Sequence, residues 1–184
     1  LVLQHDFTLD VATAHSRLSK KWKNKKWQWS EIVARCSDTR RTGESVAEYL
    51  KMSKAEQADI KDVGGFFGRY LSGGTRKTAN VMHRSMATLD IDYGTPDVWD
   101  DFTMLFSCAA MIYSTHKHTA DTPRFWLVIP FSSNVEPKEY EPICRKIADA
   151  IGIDLFDITT YQLPRLFYWP STPKDGTFFF DYQD

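Results

Sequence analysis

The sequence is poor in the features that mark secreted, membrane-embedded or disulfide-stabilised proteins. It has three cysteines in 184 residues, Cys36, Cys108 and Cys144, and their wide spacing supports neither a disulfide framework nor a zinc-binding motif. No stretch approaches the roughly 18 consecutive apolar residues of a membrane span, and the N-terminus lacks the apolar centre of a signal peptide. We therefore expect a cytoplasmic protein that makes no membrane contact.

A strong net charge is missing as well, although the charge is unevenly distributed. Of the 23 basic and 24 acidic residues, residues 1–80 carry 15 and 9, and residues 81–184 carry 8 and 15. This polarity predicts that a polyanion binds to the first part and that carboxylates in the second part bind a cation. With 42% hydrophobic and 14% aromatic residues, the chain is expected to fold as one domain. Because it starts with Leu1 and not with Met, we expect it to be part of a longer polypeptide.

Residues 1–80 are predicted to form a mostly helical portion with a glycine-rich end. Ser53 and Glu56 have the spacing of a capping box, which predicts the start of a short helix. Five of the nine glycines lie between residues 64 and 74, directly before Arg76 and Lys77. This density predicts a loop or hairpin whose backbone approaches a ligand closely. Arg76 and Lys77 are therefore candidate contacts for a nucleic acid.

Residues 81–184 show alternating strand and helix patterns. Met86 to Asp92 alternates apolar and polar residues, as half-buried strands do. The elements that follow are a helix after Pro96, strands near 108–115 and 124–131, a helix ending at Gly152, and strands near 165–169 and 177–182. The order from residue 85 to 170 predicts an α+β fold of the RRM-like or ferredoxin-like βαββαβ type. In that fold two helices cover one face of an antiparallel sheet, and we expect the other face to be free for chemistry.

Two acidic residues stand at the end of the first of these strands. Asp90 and Asp92 are two positions apart, so their side chains leave the same face with Cα atoms about 7 Å apart. Such oxygen ligands suit Mg²⁺ or Mn²⁺, although solvated carboxylates at strand ends have the same spacing. Asp157 is the candidate third carboxylate, and Asp154 competes with it. Arg165, at the start of the last core strand, is either a phosphate ligand or a surface ion-pair partner.

The residues His116, Lys117 and His118 follow the second strand of the pattern. In a right-handed strand-helix-strand unit the two strands are parallel, so their carboxyl ends share one edge of the sheet and His116 is expected near Asp92. An imidazole there can donate a hydrogen bond to a triphosphate oxygen, and Lys117 and Arg124 add positive charge. Structural roles for these histidines are the competing interpretation.

The segment from Lys20 to Trp29 interleaves five lysines with three tryptophans. Lysines attract a sugar-phosphate backbone, and aromatic rings stack on bases. The same tryptophans can equally well anchor a hydrophobic core while the lysines are solvated. Lys23, Lys25 and Trp27 are the candidates for contact with a nucleic acid.

Several motifs resemble, in the same order, those of the archaeo-eukaryotic primase superfamily. Leu89-Asp90-Ile91-Asp92 is similar to its paired-acid motif, Ser114-Thr115-His116 to its small-x-His motif, and Phe156-Asp157 to its hydrophobic-Asp motif. From about residue 60 to 184 the sequence resembles the primase-polymerase domains of phage and mobile-element replication proteins. These domains share the glycine-rich segment, a Pro-Arg pair (here 123–124) and an Arg-x-x-Tyr-Trp-Pro-Ser stretch (here 165–171).

The resemblance implies a template-directed nucleotidyltransferase that makes primers on single-stranded DNA from NTPs or dNTPs. It implies that Asp90, Asp92 and Asp157 hold two Mg²⁺ or Mn²⁺ ions. The implied nucleotide-binding residues are His116, His118, Lys117, Arg124 and Arg165, of which the small-x-His spacing favours His116 over His118. Trp126 stands where relatives often have an arginine. A helicase commonly accompanies such domains, and because these 184 residues contain no Walker-type loop, we expect it elsewhere on the full-length chain or in trans.

Two alternative functions are considered. His116-Lys117-His118 superficially resembles the metal-binding motif of rolling-circle replication initiators, with Tyr140 as the nucleophile, but the central lysine is atypical and Asp90 and Asp92 are left unexplained. A non-catalytic module of the RNA-recognition type would bind bases through aromatic side chains exposed on the sheet. The strand face that such a module uses carries Asp90 and Asp92 here, which would repel phosphate in the absence of cations.

Overall fold

The computed structural model describes residues 3–184. The strands are β1 (Thr8–Ala14), β2 (Lys23–Gln28), β3 (Arg40–Arg41), β4 (Gly65–Phe67), β5 (Arg69–Leu71), β6 (Val81–Ile91), β7 (Ala110–Ser114), β8 (Phe125–Val135), β9 (Phe167–Tyr168), β10 (Ser171–Thr172) and β11 (Phe180–Gln183). The helices are α1 (Trp29–Cys36), α2 (Val46–Lys51), α3 (Lys54–Ile60), α4 (Val98–Leu105) and α5 (Pro137–Ile151). Within residues 3–184, no helix combines the length and apolarity needed to cross a membrane.

The centre of the fold is a sheet in the order β11-β7-β8-β6-β5. The strands β6 and β7 both pair antiparallel with β8, which lies between them, so they run parallel to each other. Their carboxyl ends therefore lie at the same edge of the sheet. Since α4 connects β6 to β7 and α5 follows β8, the first five elements of the predicted βαββαβ order are confirmed.

The two faces of this sheet are covered by different layers. Ala87, Leu89 and Ile91 of β6 point towards α4 and α5, where they pack in one core with Phe102 and Tyr140. On the other face, side chains of the central sheet pack against a second sheet, of order β2-β1-β4-β9, and against α1. This second core contains Met86, Met111, Tyr113, Trp126 and Val128 from one side and Leu9, Val11, Trp29, Phe66, Phe167 and Trp169 from the other.

This second layer corrects the prediction that one sheet face is free for chemistry. The rings of Tyr113 and Trp126 are almost completely buried, because Phe167 and Tyr168 lie against Trp126 with ring centroids 4.9 and 5.8 Å away. Reagents can therefore reach the central sheet at its edge but not across its face. The base-binding surface of an RNA-recognition-type module is covered, which contradicts that alternative function.

The last strand of the predicted βαββαβ order belongs to a different sheet. The strand β9 pairs with β4 in the second sheet, and the position beside β6 is shared between β5 and the 3₁₀ segment Ile158–Tyr161. Thr160 Oγ1 accepts a hydrogen bond from the Asp90 backbone N–H at 2.7 Å and donates to the Thr88 carbonyl at 3.3 Å. The strand edge is thus satisfied by a side chain instead of a neighbouring strand.

The N-terminal portion is also less helical than predicted. It begins with the antiparallel pair β1 and β2, and the lysine-tryptophan segment lies on β2. The sequence of β2 shows no alternation of apolar and polar residues, because this edge strand buries few side chains. The capping box at Ser53 and Glu56 is confirmed, since each side chain accepts a hydrogen bond from the other residue's backbone N–H. The glycine-rich segment contains β4 and β5, which belong to the second and the central sheet respectively.

Candidate active site

A cleft with a volume of about 270 Å³ opens where the carboxyl ends of β6 and β7 meet the second sheet. We call it the acidic cleft after Asp90 and Asp92, although basic side chains also line it. Its lining residues are Lys54, Gln57, Ala58, Lys61, Asp90, Asp92, Ser114, Thr115, His116, Lys117, Arg124, Trp126, Arg165, Tyr168, Trp169, Pro170 and Ser171. The two parallel strands therefore bring Asp90, Asp92 and His116 to one place, as their positions in the sequence predict.

Asp157 lies next to Asp90 because the backbones of the two residues are joined. The Asp157 N–H donates to the Asp90 carbonyl at 2.9 Å, directly before the segment Ile158–Tyr161 that covers the edge of β6. The Asp157 carboxylate then caps this segment by accepting hydrogen bonds from the backbone N–H and the hydroxyl of Thr159, at 2.8 and 3.0 Å. The competing Asp154 lies in the exposed 3₁₀ segment Ile153–Leu155. Neither aspartate lines the cleft itself, but Asp157 contacts the lining residue Arg165.

Two arginines neutralise the three carboxylates. The Nη2 atom of Arg165 donates to Asp90 Oδ2 at 2.8 Å and to Asp157 Oδ2 at 2.9 Å. Arg124 Nη1 donates to Asp92 Oδ1 at 2.6 Å. The late aspartate and the first of the paired acids thus converge on a single cationic nitrogen, which holds their oxygens close together.

The protonation of the carboxylates differs with their surroundings. Burial, together with the nearby charge of Asp92, raises the pKa of Asp90 to about 6, although Arg165 acts in the opposite direction. Burial also raises the pKa of Asp157, but the hydrogen bonds from Thr159 and the charge of Arg165 outweigh it and hold that pKa below its ordinary value. An acid that is buried beside other acids is stabilised by added positive charge.

Trp126 contributes a neutral hydrogen bond to the same group. Its indole Nε1–H donates to Asp90 Oδ1 at 2.9 Å, while Arg165 occupies Oδ2. Both Asp90 oxygens are thus oriented, one by a ring that packing holds in place and one by a cation. Trp126, which stands where relatives often have an arginine, therefore contacts a carboxylate. Its role at this position is to orient Asp90 instead of contacting a phosphate.

The donor set fits a hard divalent cation. Carboxylate oxygens are the ligands that Mg²⁺ and Mn²⁺ prefer, and Asp90 and Asp157 already converge on one positive atom. Within residues 3–184, no three His, Cys, Asp or Glu side chains form a ready-made metal cluster. Arg165 Nη2 stands between Asp90 and Asp157, and Arg124 contacts Asp92. A cation would therefore have to displace the contacts made by Arg165.

The two candidate histidines have different environments. His116 lines the cleft, and its ring nitrogens face Ser171 Oγ and Glu44 Oε1, both at 2.8 Å. His118 does not line the cleft. Its Nδ1 accepts a hydrogen bond from the Arg124 backbone N–H at 3.2 Å. Burial lowers the pKa of both rings. Lys117, which lies between them in the sequence, lines the cleft.

The pair His116 and Glu44 gives a prediction for the pH dependence of stability. Burial lowers the pKa of His116, and for Glu44 the hydrogen bonds from Thr42 and His116 outweigh burial, so that its pKa is also lowered. In both cases the unfolded chain binds more protons. The contribution of His116 is therefore present above the unfolded His value near 6.5, that of Glu44 above the unfolded Glu value near 4.3, and each is lost as the pH falls below that value. Thermal unfolding from pH 7.5 to 5 should show a smaller loss of stability in a His116→Asn/Glu44→Gln double variant than in the wild type. An equal loss in both proteins would show that the pair does not titrate with folding.

Sequence reasoning missed several residues at the cleft or next to it. Glu44, Lys54 and Lys61 come from the N-terminal portion, 29 or more positions before Asp90 in the numbering. Long-range packing places Lys54 and Lys61 in the cleft wall and brings Glu44, from the bend before α2, to the His116 ring. A short-range sequence pattern does not report such contacts. The capping box that begins α3 was the one signal in the sequence.

The nucleic-acid candidates lie outside the cleft. Lys23, Lys25 and Trp27 project from one side of β2 into a neighbouring groove, which Arg35 and Trp169 also line. The Trp27 ring stacks on Trp169 with centroids 5.6 Å apart and carries Lys25 at 5.3 Å. The faces of the Trp27 ring are thus occupied by protein groups, so this groove presents lysines more than stacking surfaces.

The pair that follows the glycine-rich segment is divided. Arg76 donates to the carbonyls of Pro164 and Arg17, both at 3.3 Å, and is half-buried. Lys77 is exposed. Arg76 thus serves to join the glycine-rich segment to the chain near Arg165, and only Lys77 is freely available to a ligand.

The arrangement contradicts the alternative in which Tyr140 is a nucleophile. Tyr140, a residue of α5, is completely buried in the core between this helix and the central sheet. Its hydroxyl accepts a hydrogen bond from Arg84 Nη2 at 2.9 Å. Burial raises its pKa to about 12. A phenol that substrate cannot reach does not attack a phosphodiester.

Comparisons with known proteins give two findings. The family model described as the VapE N-terminal domain matches residues 1–184. Among solved structures, the AEP domain of the primase-polymerase of cyanophage S-2L matches with 13% sequence identity and a TM-score of 0.45, over 96% of this chain and 80% of that one. At this score no inference about activity follows from the likeness. The comparison with curated protein sequences found no match.

Proposed function

The chain belongs to the VapE N-terminal domain family, and for this member we propose the function of a template-directed nucleotidyltransferase, a primase-polymerase that synthesises primers on single-stranded DNA. The observation that carries the proposal is that Asp90 and Asp157 share one arginine nitrogen, while Asp92, two positions after Asp90, lines with it a cleft that also carries basic side chains. This combination suits cations and a polyphosphate in the same place.

Each side chain has a role that follows from its position. Asp90, Asp92 and Asp157 are proposed to hold two divalent ions, with Trp126 fixing the orientation of the Asp90 carboxylate. Arg124 and Arg165, which contact these carboxylates, are the proposed ligands of the triphosphate. Lys117 contributes further positive charge. Both ring nitrogens of His116 are engaged by Ser171 and Glu44, so we assign His116 the role of positioning these two side chains. A contact between His116 and the triphosphate requires that Glu44 release the ring.

The proposed reaction joins a nucleotide to a growing strand. The 3′-hydroxyl of the primer attacks the α-phosphorus, a new phosphodiester bond forms, and pyrophosphate leaves. Bound Mg²⁺ or Mn²⁺ would supply Lewis acidity at the oxygens of this displacement. The protein holds the reactants in line and, through the buried rings of Trp126 and Trp169, lowers the local dielectric so that these charge interactions are strong.

The groove on β2 is the proposed site for the single-stranded template. Lys23 and Lys25 make no ion pair among residues 3–184, whereas Lys26, on the other side of the strand, pairs with Asp10 Oδ1 at 3.0 Å. Trp169 lines both this groove and the acidic cleft, so the two lie side by side. We further propose, from the resemblance of the motifs, that a helicase acts on the same full-length chain or in trans.

Removing the two lysines should weaken DNA binding and reduce its salt dependence. For a Lys23→Gln/Lys25→Gln variant we expect the slope of log affinity against log salt to fall by about 1.4, because each lost phosphate contact on single-stranded DNA contributes about 0.7. Binding to a labelled oligonucleotide between 50 and 300 mM salt, roughly the range where such slopes are linear, measures this. Lys26→Gln is the matched control and should keep the wild-type slope; equal slopes in all three proteins would exclude this groove.

Incorporation of labelled nucleotide on a single-stranded DNA template tests the proposed function itself. The wild-type chain should extend or initiate strands only when Mn²⁺ or Mg²⁺ is present, with NTPs and dNTPs assayed separately. Incorporation that persists in excess chelator, or none with either ion and either nucleotide class, would contradict the proposal.

A further inference from the structure

One face of α3 forms a wall of the acidic cleft although this helix is not part of the βαββα core. The helix and its C-cap residue Lys61 supply the lining residues Lys54, Gln57, Ala58 and Lys61. Their spacing of three and four positions places them along one side of a helix. Over the seven positions from Lys54 to Lys61 a helix rises by about 10 Å, so the two ammonium groups can reach separate points of an elongated ligand.

This wall is attached rigidly to the rest of the cleft. Gln57 Nε2 donates to the carbonyls of Tyr49 and Met52, at 2.9 and 3.1 Å, and the Tyr49 hydroxyl donates to the Gln57 carbonyl at 3.1 Å. The Tyr49 ring in turn packs on the His116 ring with centroids 4.4 Å apart. Because Gln57 and Tyr49 are buried, these contacts hold the face of α3 in a fixed orientation towards the strand ends.

The lysines of this wall differ from the two arginines of the cleft in their pairing. Arg124 and Arg165 are paired with the three carboxylates, whereas among residues 3–184 no ion pair is made by Lys54, Lys61 or Lys117. Lys61 is partly buried beside the Tyr168 ring, whose centroid is 5.2 Å from Nζ, and burial lowers its pKa. The charges of Asp90 and Asp92 raise the pKa of Lys61 by less than burial lowers it. A desolvated ammonium outside an ion pair is costly, and an anionic ligand reduces that cost.

We propose that Lys54 and Lys61 bind the β- and γ-phosphates of the incoming nucleoside triphosphate, so that α3 is a nucleotide-binding element outside the catalytic core. This inference rests on the proposed function, since Asp90 and Asp92 fix where the α-phosphate lies and the polyphosphate then extends along the cleft. The triphosphate is favoured over the template backbone because the lysines line the same cleft as the acids, while the β2 groove is lined by other lysines.

The test compares a Lys54→Gln/Lys61→Gln double variant with Lys61→Arg and with Lys51→Gln. Lys51 ends the preceding helix, is exposed and lies outside the cleft, so its replacement makes the same charge change as one of the two substitutions. Steady-state incorporation is measured at varied nucleotide and at varied template concentration. Binding of inorganic tripolyphosphate is measured separately by calorimetry, without template or catalysis.

For the double variant we expect the KM for nucleotide to rise about 100-fold, about 10-fold for each charge-assisted contact, which is about 1.4 kcal/mol each. The kcat and the KM for template should change by less than about threefold, because the lost contacts exist in the ground state as well as in the transition state. Tripolyphosphate affinity should fall in parallel. Lys61→Arg should keep most of the affinity, and Lys51→Gln should match the wild type.

An unchanged KM for nucleotide, or a change in the KM for template alone, would overturn the inference while the proposed function stands. If the wild type incorporates no nucleotide, the proposed function fails, but tripolyphosphate binding still decides the inference. Loss of tripolyphosphate binding in the double variant supports a phosphate site on α3. Unchanged binding in the double variant excludes such a site. Should the double variant not fold, Lys54→Gln, at an exposed position, carries the test with an expected 10-fold effect.

Discussion

Replacing Asp90 or Asp92 with asparagine is expected to lower nucleotide incorporation at least about 1,000-fold, on the order of 4 kcal/mol in the activation free energy. The two side chains line the cleft at adjacent places, and an amide is a neutral and weaker ligand for Mg²⁺ or Mn²⁺ than a carboxylate. Single-turnover incorporation with saturating nucleotide measures the effect on the chemical step.

The folded state should tolerate this change at position 90. Because the folded-state pKa of about 6 lies above the usual value near 3.9, the stability that Asp90 contributes is greatest below pH 3.9 and is lost as the pH rises through 6. At pH 7.5 the ionised carboxylate is therefore unfavourable, and Asp90→Asn removes it while giving up one hydrogen bond to Arg165. We expect the unfolding temperature to stay within about 4 °C of the wild type.

The matched control is Asp154→Asn. Asp154 is close in sequence to Asp157 but exposed and outside the cleft, so its replacement should leave incorporation within about twofold, as surface substitutions usually leave a protein little changed. Near-normal synthesis by Asp90→Asn and Asp92→Asn, with metal still required, would remove the paired acids from the site.

The Arg165→Met variant is expected to lose about 100-fold in kcat/KM and to become unusually dependent on divalent cations for its stability. The guanidinium contacts Asp90 and Asp157 at 2.8 and 2.9 Å, so its loss leaves two close carboxylates without their shared cation. About a third of the Arg165 side chain is exposed, 32%, and solvent screening therefore limits the cost to about 1–3 kcal/mol. The loss in kcat/KM follows from the removal of one preorganised charge at the phosphate.

Thermal unfolding with and without Mn²⁺ measures the dependence on cations. Without the ion, Arg165→Met should unfold at a lower temperature than the wild type, and Mn²⁺ should raise its unfolding temperature by more than it raises that of the wild type, because no guanidinium competes for the acids. Arg165→Lys keeps the charge and should be intermediate. Equal shifts with Mn²⁺ in all three proteins would show that Arg165 and the cation do not share a place.

The central sheet was predictable because its elements have strong local patterns. The alternation of β6 correctly marks a strand, but the prediction that this strand is half-buried is wrong: residues 84–91 are buried on both faces, with Leu89 facing the helices and Met86 facing the second sheet. The α5 helix starts with Pro137 in its first turn and ends at Gly152, whose φ of 134° suits glycine. Pro142 lies inside this helix, near its start.

The second sheet was not predictable by the same means. Its strand β9 has two residues, and β4 has three, so no period can be read from them. The segment Ile158–Tyr161 takes the place beside β6 through the hydroxyl of Thr160, a contact that spans 70 residues of sequence. Local propensity does not report such pairings, which tertiary packing selects.

The candidate site was predictable only in part, because some of its residues lie on strands with strong local patterns and others do not. Asp90, Asp92 and His116 follow from strand ends that the topology must bring together. Lys61 instead reaches the cleft from the end of α3, and Glu44 reaches His116 from the bend before α2. The roles of all these residues in catalysis and binding stay predictions until variants are assayed.

A crystal structure with Mn²⁺ and a non-hydrolysable nucleoside triphosphate tests most directly whether the three acids gather cations beside a polyphosphate. We predict anomalous density for manganese in contact with the carboxylates of Asp90, Asp92 and Asp157, Arg165 turned from these acids towards the phosphates, and the α-phosphate next to the metal. Manganese bound elsewhere on the protein, with Arg165 still joining Asp90 to Asp157, would contradict this account.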